Sequence, residues 1–194
     1  IVQATQLLLQ ERVPHNVTLS RPRAEEVHYQ GTRLPVDWNP RIYNDVGLPT
    51  PRTQILSNGT YSVMITTAGS GYSRLGNYAV NRWREDVTQD HWGQFFYIRN
   101  RSNQHVWSVG HQPTAITSKK YEVFFAEDKV EFKRQDGNTT THMEMIVSPE
   151  DNVEIRHISL TNNSADIREF EVTSFMELCL SLQADDVAHP AFSN

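Results

Sequence analysis

The chain has 194 residues, of which 38% are hydrophobic, 21% are charged and 10% are aromatic. This composition argues against disorder and against a fibrous repeat, and the length suits one large domain with a short appendage. A net charge of −5 without a Lys/Arg-rich run argues against nucleic acid and anionic membrane surfaces as partners, because both need a concentrated positive field.

Residues 1–50 are predicted to form a helical leader followed by a proline-rich linker arm. The apolar residues among Gln, Glu and Arg in 1–13 favour a short helix that ends at Pro14, since proline breaks the helical hydrogen-bond ladder. The rest of this segment is rich in proline, which indicates an extended arm with one strand near 26–29. Residues 51–194 are predicted to form the main domain.

The second part of the chain carries short strand-like runs that are separated by turn residues such as Asn58 and Gly59. The runs are 61–66, 79–83, 94–98, 105–109, 121–125, 129–133, 140–147, 153–160 and 168–176. No helical pattern lies between them, and strands at this spacing are typical of antiparallel sheets. The sequence therefore predicts an all-β fold, an antiparallel two-sheet sandwich.

The run at 153–160 has an irregular pattern. Val153 and Ile155 alternate with polar residues, but Ile158 and Leu160 occupy the opposite phase. Because alternate residues of a strand face opposite sides of a sheet, the inward face is predicted to switch partway. A bulge, or burial of both faces, would account for the switch.

A glycine-rich segment at 69–73 follows the first of these runs. It lacks the spacing and the following helix of a phosphate-binding loop, so nucleotide binding is not expected. Two interpretations remain open. One is a glycine-permitted turn at a sandwich edge, and the other is a flexible loop that offers serine hydroxyls and the ring of Tyr72 to a sugar.

The densest group of polar and aromatic residues lies at 82–93. Proteins hold sugars with aromatic rings under the C–H faces and with charged or amide groups at the hydroxyls, and this segment has those residue types. The structural alternative is a set of Arg–carboxylate bridges that fix a loop, with Trp83 and Trp92 in the core. The candidate carbohydrate-binding residues are Tyr72, Ser73, Arg82, Trp83, Arg84, Asp86, Asp90 and Trp92.

No catalytic residue is predicted. Glu85, Asp86 and Asp90 lie close together in sequence, whereas the acid and base of a glycosidase come from different elements that converge on a cleft. A rival hypothesis is a mutarotase-like epimerase, which needs a His and a Glu on either side of a sugar ring. His142 and Glu144 are its candidates, although their spacing on one strand is also typical of packing or solvation.

No metal or cofactor site is predicted either. The eight histidines lack a tight ligand spacing, and a single cysteine can form neither a thiolate zinc site nor an internal disulfide. Cys179 lies in an apolar run and is predicted to be a buried structural thiol. Asp185 and Asp186 are interpreted as solvated loop charges rather than as cation ligands.

An ordered series of motifs extends over nearly the whole chain. The segments are 8–14, 56–64, 71–73, 82–86, 92–93, 107–113, 148–151, 160–162 and 188–194. Together they resemble the amino-terminal β-sandwich domain of glycoside hydrolase family 94, the cellobiose/chitobiose-type phosphorylases. Within that family they are most similar to the corresponding region of cyclic β-1,2-glucan synthases.

The resemblance implies a supersandwich, similar to those of galactose mutarotase-like proteins, that precedes an (α/α)6 barrel carrying the catalytic Asp. The chain is then expected to be a noncatalytic, carbohydrate-binding or structural fragment of a glycosyltransferase or phosphorylase. The implied parent is embedded in the bacterial inner membrane, with this domain on the cytoplasmic side. The implied partners are the barrel, a β-glucan or oligosaccharide at a weak or composite site, and a second copy in a homodimer. A self-sufficient carbohydrate-binding module remains an alternative.

Overall fold

The computed structural model describes residues 40–46, 51–85 and 90–189. Within these residues the chain forms thirteen β-strands and one short helix. In chain order they are β1 (Arg41–Tyr43), β2 (Thr53–Ser57), β3 (Tyr61–Thr66), β4 (Gly71–Leu75), β5 (Tyr78–Asn81), β6 (Gln94–Asn100), β7 (Val106–Ser108), β8 (Lys120–Phe125), β9 (Lys129–Asp136), β10 (Thr139–Val147), β11 (Glu154–Asn162), β12 (Phe170–Met176), β13 (Leu178–Leu182) and α1 (Gln183–Ala188). The predicted helix of residues 1–13 and the predicted strand near 26–29 lie outside the described residues.

The described strands pair in antiparallel fashion and form three hydrogen-bonded sheets. Sheet I has the order β1-β8-β9-β10-β11, sheet II the order β12-β6-β7, and sheet III the order β13-β5-β4-β3-β2. The predicted all-β, antiparallel fold class is confirmed. The sequence indicated two sheets, and the third arises because β6 pairs with β7 and β12 and with no strand of either five-stranded sheet.

Each of the nine predicted runs overlaps a strand, and four further strands, β1, β2, β4 and β13, were not predicted. Strand β1 lies within the proline-rich arm and pairs with β8 at the edge of sheet I. That part of the arm therefore belongs to the sheet structure. The boundary at residue 50 stays a prediction.

Strand β11 corrects the predicted switch of face. It pairs with β10 along its whole length without a register shift, so it contains no bulge. The side chains of Glu154 and Arg156 are largely buried, whereas Ile155 is exposed. Arg156 Nη2 lies 3.4 Å from Glu154 Oε2, and the Nη1 group donates to the carbonyl oxygen of Gln94 at 3.0 Å. A salt-bridged pair thus occupies inward positions that the sequence pattern assigned to the surface, although the buried Arg156 Nε atom has no hydrogen-bond partner among the described residues.

The core lies between the inner faces of the sheets, and all three sheets contribute to it. Trp107 of β7 is buried, and its Nε1–H donates to Thr141 Oγ1 of β10 at 3.2 Å, so a hydrogen bond links sheets II and I inside the core. Burial of each large apolar side chain stabilises the fold by about 1.5–3 kcal/mol. The main fully buried side chains are Leu56, Val63, Ile65, Ile98, Trp107, Val123, Phe125, Val130, Phe132 and Met145.

A buried arginine joins sheet I to the connection that follows β7. Arg134 of β9 is fully buried, and its Nε and Nη2 groups donate to the two carboxylate oxygens of Asp136, both at 2.7 Å. The Nη1 group donates to the carbonyl oxygens of Ser108 and Gly110 at 2.8 Å. Because a buried charge is stable only when it is paired and hydrogen-bonded, this arrangement fixes the segment around Gly110 against sheet I.

Candidate functional site

The candidate residues are distributed over β4, the segment after β5 and the segment before β6. Tyr72 and Ser73 lie on β4; Arg82, Trp83 and Arg84 follow β5; Asp90 and Trp92 precede β6. Asp86 lies outside the described residues.

The glycine-rich segment is a turn followed by a strand. Gly69 has a φ of +97° in the turn after β3, so the turn interpretation holds there. Tyr72 and Ser73 belong to β4, which pairs with β3 along its length and with β5 at its end, and the prediction of a flexible loop is therefore wrong. Gly71 permits this close pairing, because a Cβ there would lie 1.9 Å from the carbonyl oxygen of Met64.

Tyr72 and Ser73 face opposite sides of β4, since successive strand residues alternate. Ser73 is buried, its hydroxyl donates to Glu154 Oε2 at 3.0 Å, and its backbone N–H donates to Asn81 Oδ1 at 2.6 Å. The polar groups of Ser73 are thus used within the fold. Tyr72 is half-buried and shares the other face of the strand with Arg74.

A crevice lies on the Tyr72 face of sheet III. The rings of Tyr72 and Trp83 meet edge to face, with centroids 5.4 Å apart and an interplanar angle of 68°. Aromatic pairs favour this geometry because the positive edge of one ring meets the negative face of the other. The crevice encloses about 10 Å³, and its lining consists of Tyr72, Arg74, Ala79, Asn81, Trp83, Gln183 and Asp186.

Arg74 gives the crevice a hydrogen-bond donor that the fold does not use. Its guanidinium carbon lies 5.5 Å from the centroid of the Tyr72 ring, which is the distance of a cation–π contact. Its Nε atom is buried and has no hydrogen-bond partner among the described residues. Because buried donors are normally satisfied, this atom and Arg156 Nε are exceptions within the described residues.

Arg82 and Arg84 converge on one buried carboxylate, that of Asp186. Arg82 Nε donates to Asp186 Oδ1 at 3.1 Å, and its Nη1 group pairs with Glu177 at 3.2 Å. Arg84 Nη1 pairs with the Asp186 carboxylate, and its Nη2 group donates to the Asp186 carbonyl oxygen at 3.0 Å. Burial by itself raises the pKa of Asp186, but hydrogen bonds and charge from Arg84 and Arg82 outweigh it and hold that pKa below its ordinary value.

These contacts make Arg82 and Arg84 structural residues that hold α1 and the β12–β13 junction against the segment after β5. The Arg–carboxylate bridges of the structural alternative exist, with Asp186 and Glu177 as the partners. The interpretation of Asp186 as a solvated loop charge is wrong, because the residue is buried on a helix. Its two arginine partners offset the cost of burying the charge.

The segment before β6 packs on the start of β4. The Gly71 N–H donates to the carbonyl oxygen of Trp92 at 2.8 Å. The Thr66 hydroxyl donates to Asp90 Oδ2 at 3.1 Å, and the Ser70 hydroxyl donates to the Asp90 carbonyl oxygen. Burial raises the pKa of Asp90, although hydrogen bonds from Ser70 and Thr66 act in the opposite direction.

Trp83 and Trp92 are both half-buried, so neither is the core residue that the structural alternative required. The ring of Trp92 lies 4.8 Å from that of exposed His91, with an interplanar angle of 32°. The structure thus brings Tyr72 and Trp83 together at the crevice. Asp90 and Trp92 are not part of its lining.

His142 and Glu144 share the outer face of β10, as their spacing predicts. His142 Nε2 lies 3.0 Å from Glu131 Oε2, and Lys129 Nζ lies 2.6 Å from Glu131 and 3.2 Å from Glu144. A hydrogen bond from Lys129 holds the pKa of Glu131 below its ordinary value. Lys129 thus pairs with two carboxylates, one of them on the neighbouring strand, as charged side chains on solvated sheet faces commonly do.

The described residues hold no cluster of metal ligands and one buried thiol. Within the described residues, no three His, Cys, Asp or Glu side chains are arranged to hold a metal ion. Cys179 is buried, as predicted, and its Sγ atom lies 3.2 Å from Ser181 Oγ. No helix in residues 40–46, 51–85 and 90–189 is long and apolar enough to cross a membrane.

Sequence reasoning missed most of the crevice lining, namely Arg74, Ala79, Asn81, Gln183 and Asp186. Arg74 follows Tyr72 by two residues, so strand alternation could have placed it on the same face. Gln183 and Asp186 come from a helix about a hundred residues farther along the chain, and Asp186 is separated from Arg82 by 104 positions. No local pattern signals such a tertiary contact.

The sequence of residues 39–194 matches the family described as glycosyl hydrolase 94, supersandwich domain. The chain belongs to this family. The family membership that the motif series predicted is thereby confirmed, and the three-sheet antiparallel architecture is the form that this supersandwich domain takes here.

The supersandwich domain is similar to several larger proteins. It is 34% identical to the cyclic beta-(1,2)-glucan synthase NdvB of Rhizobium meliloti (strain 1021) over 194 residues, which are 100% of this chain and 7% of that protein. It is 24% identical to the N,N'-diacetylchitobiose phosphorylase of Vibrio proteolyticus over 148 residues, 73% of this chain and 18% of the phosphorylase. A solabiose phosphorylase of Paenibacillus borealis is 31% identical over 87 residues, 45% of this chain and 11% of that enzyme. The chain therefore spans less than a fifth of each of these relatives.

Proposed function

We propose that this supersandwich domain is a noncatalytic part of a larger carbohydrate-active protein, and that its crevice supplies sugar contacts to a site completed by other parts of that protein. The observation that carries the proposal is the pairing of two aromatic rings, Tyr72 and Trp83, with the unpartnered buried donor of Arg74. The names of the relatives add support, since they specify a glucan synthase and phosphorylases of N,N'-diacetylchitobiose and solabiose.

The lining of the crevice suits the chemistry of a sugar. The rings of Tyr72 and Trp83 offer apolar surface to sugar C–H groups, and Arg74 Nε offers a charged hydrogen-bond donor to a hydroxyl oxygen. Gln183 adds an amide to the lining. Arg82 and Arg84 act indirectly, because their bridges to Asp186 position the helix that carries Gln183.

The size of the crevice favours a composite site over a self-sufficient binding module. Its enclosed space is about 10 Å³, enough for one water molecule, and is far smaller than the roughly 300–1,000 Å³ of pockets that enclose small-molecule ligands. A sugar ring can contact the rim of such a crevice but cannot enter it. Few contacts must then offset the entropy lost on association, so the domain alone is expected to bind glycan weakly.

The proposed ligand is a β-glucan or a related oligosaccharide, and the proposed larger protein is of the glucan synthase or phosphorylase type. Identity of 34% to a cyclic beta-(1,2)-glucan synthase across the whole chain supports this assignment. We place the catalytic acid in an adjoining (α/α)6 barrel and this domain on the cytoplasmic side of the bacterial inner membrane, with a homodimer as a further partner arrangement. The family resemblance is the support for these placements.

The epimerase alternative finds no support in the described residues. Its candidate pair, His142 and Glu144, is engaged with Glu131 and Lys129 on an open sheet face. An acid and a base on one face of a single strand do not flank a sugar ring, as epimerisation requires.

Binding of linear β-1,2-glucan to the larger protein, measured by calorimetry, tests the proposal. Trp83→Ala removes a ring and Arg74→Met removes the donor while keeping the length of the side chain. Each change is expected to weaken glycan affinity about tenfold, the equivalent of losing one contact of about 1.4 kcal/mol. The matched control Arg99→Met removes an exposed arginine of sheet II and should leave the affinity unchanged. Wild-type affinity in both crevice variants would refute the site.

A further inference from the structure

A groove crosses the outer face of sheet I, on the side away from the core. Four neighbouring strands, β8, β9, β10 and β11, supply its lining, and its volume is about 480 Å³. That volume lies within the roughly 300–1,000 Å³ of small-molecule sites, whereas the crevice on sheet III encloses about 10 Å³. The groove is therefore a separate feature of the domain and is large enough to receive a sugar ring.

The sheet itself fixes the lining of the groove. On β9, Val130 and Phe132 are fully buried in the core, whereas the alternating residues Glu131 and Lys133 line the groove. The pairings of β8 with β9, β9 with β10 and β10 with β11 contain no register shift, so the same alternation holds across all four strands. Side chains on paired strands are held more precisely than side chains on loops.

Three hydroxyl side chains form the part of the lining that β10 and β11 contribute. Thr140 lies directly opposite Thr161, and Ser159 lies directly opposite His142. Opposite residues have Cβ atoms about 4.5–5.5 Å apart, so these polar groups stand in two adjacent rows. The Asn163 Nδ2 group donates to Thr140 Oγ1 at 2.8 Å, which leaves the Thr140 O–H to donate to an acceptor in the groove. Sugar hydroxyls are such acceptors.

A carboxylate and an imidazole are held in fixed positions beside these rows. Glu131 Oε1 lies 2.6 Å from Lys129 Nζ, and Glu131 Oε2 lies 3.0 Å from His142 Nε2. An ionised carboxylate only accepts hydrogen bonds, so Nε2 carries the hydrogen, and Nδ1 of the neutral ring is then an acceptor. Because these groups are already oriented, a ligand that binds them loses little entropy in ordering them.

The lining combines an aromatic ring with balanced charge. Phe124 is half-buried on β8 and lies directly opposite Glu131. Its ring offers apolar surface to the C–H groups of a sugar. Lys133 and Glu131 contribute one charge of each sign, so an ion of either sign would meet a like charge in the lining. A neutral ligand rich in hydroxyl groups fits this combination.

We infer that the groove of sheet I is a second glycan-contact site, which takes the distal part of a glucan chain that the larger protein holds elsewhere. The inference rests on the proposed function, namely that the larger protein binds a β-glucan. The groove is open and has a single sheet face as its floor, so we expect its own affinity to be too weak to saturate at millimolar glycan. Once a chain is held at another site, contact with the groove becomes intramolecular and is favoured by a high effective concentration.

The dependence of affinity on chain length in the larger protein tests the inference. His142→Ala removes the imidazole, and Phe124→Leu removes the ring while keeping apolar bulk. In calorimetry, each change should lower the affinity for a long linear β-1,2-glucan about fivefold, the loss of one contact. Affinity for the β-1,2-linked disaccharide of glucose should not change, because a disaccharide cannot reach both sites. The matched control His105→Ala removes an exposed histidine outside sheet I and should alter neither affinity.

Two results of the calorimetry would overturn the inference. Wild-type affinity for the long glucan in both groove variants would show that the glucan does not contact the groove. Equal losses for the disaccharide and the long glucan would show that the changes act on the main site. Trp83→Ala in the same assay keeps the two proposals apart, since it should weaken both ligands alike. Wild-type affinities in Trp83→Ala would remove the crevice contacts and leave the groove untouched.

NMR of the 194-residue chain provides a residue-resolved measurement. Linear β-1,2-glucan at tens of millimolar should shift the amide signals of β9, β10 and β11 progressively, and His142→Ala should reduce these shifts. Amides of β2 and β3 in sheet III serve as the control. Shifts that are no larger in β10 than in β3 would contradict a glycan site in the groove.

Discussion

Arg134 shows how much a single side chain contributes when its charge is buried. Replacing it in Arg134→Met leaves the carboxylate of Asp136 buried and removes the donor from three carbonyl oxygens, which should lower the free energy of unfolding by about 3–5 kcal/mol. Urea unfolding measures the change. Arg101→Met, which removes an exposed arginine paired with Glu169, is the matched control and should cost about 0–1 kcal/mol. Comparable losses in the two variants would contradict this account.

Asp186 is expected to make stability sensitive to acid. Its pKa in the folded state lies below the ordinary value of 3.8. Between these two pKa values, the unfolded chain therefore binds more protons than the folded chain. The stabilising contribution of Asp186 is therefore fully present above pH 3.8 and is lost as the pH falls through the folded-state pKa. The advantage of the wild type over Asp186→Asn, measured as the difference in urea midpoints, should shrink as the pH is lowered in this window.

Asp90 provides a control, because its contribution to stability should change with pH in the opposite direction. Burial raises the pKa of Asp90 in the folded state above its ordinary value of 3.8. As the pH rises from 3.8 towards the folded-state pKa, the unfolded chain ionises first, and the folded state loses stability. The stability of the wild type relative to Asp90→Asn should therefore improve as the pH falls. A parallel trend for the Asp186 and Asp90 variants would show that the assigned causes of the two pKa shifts are incorrect.

At the scale of elements, the pairing of β3 with β4 depends on the absence of a side chain at Gly71. In Gly71→Ala the added Cβ would meet the Met64 carbonyl oxygen, so the strands must separate, and we expect a loss of about 3 kcal/mol or more in thermal unfolding. Gly137→Ala is the matched control, because its φ is +57° but nothing lies within 4 Å of the added Cβ. The control should show only the left-handed backbone cost of about 1–2 kcal/mol. Equal losses would refute the role of close approach.

The elements that sequence could predict are those with clear alternation. Strand β3 is predicted with its observed bounds because its apolar residues are flanked by turn signals on both sides. Strand β4 was missed because Gly71 and Ser73 resemble loop residues, although the glycine is needed for close pairing and the serine hydroxyl is used inside. Strand β13 was missed because Leu178, Cys179 and Leu180 form a continuous apolar run without visible alternation, although only Cys179 is buried.

The candidate site was predictable only in part for a related physical reason. Tyr72 and Trp83 were singled out by residue type, and the structure brings their rings into contact. Arg82 and Arg84 were singled out in the same way, but both form salt bridges with Asp186. Asp186 lies on a helix far along the chain, and no sequence pattern connects it with the two arginines. Residue type thus indicated aromatic contacts better than it indicated charge partners.

At the scale of the whole molecule, the crevice and the exposed apolar side chains of β12 support the same proposal. The crevice is too small to enclose a disaccharide, and the β12 edge leaves apolar side chains uncovered. Both features are expected of a domain that works beside further parts of a larger protein. The family and the small share of each relative that the chain covers are consistent with this organisation.

Calorimetric titration of linear and cyclic β-1,2-glucans into the 194-residue chain and into the larger protein tests this central claim most directly, with cellobiose and chitobiose as comparators. We predict saturable binding by the larger protein that Trp83→Ala weakens, and no saturable binding by the 194-residue chain at millimolar glycan. Binding by the 194-residue chain as tight as that by the larger protein would contradict a composite site and would make the domain a self-sufficient carbohydrate-binding module.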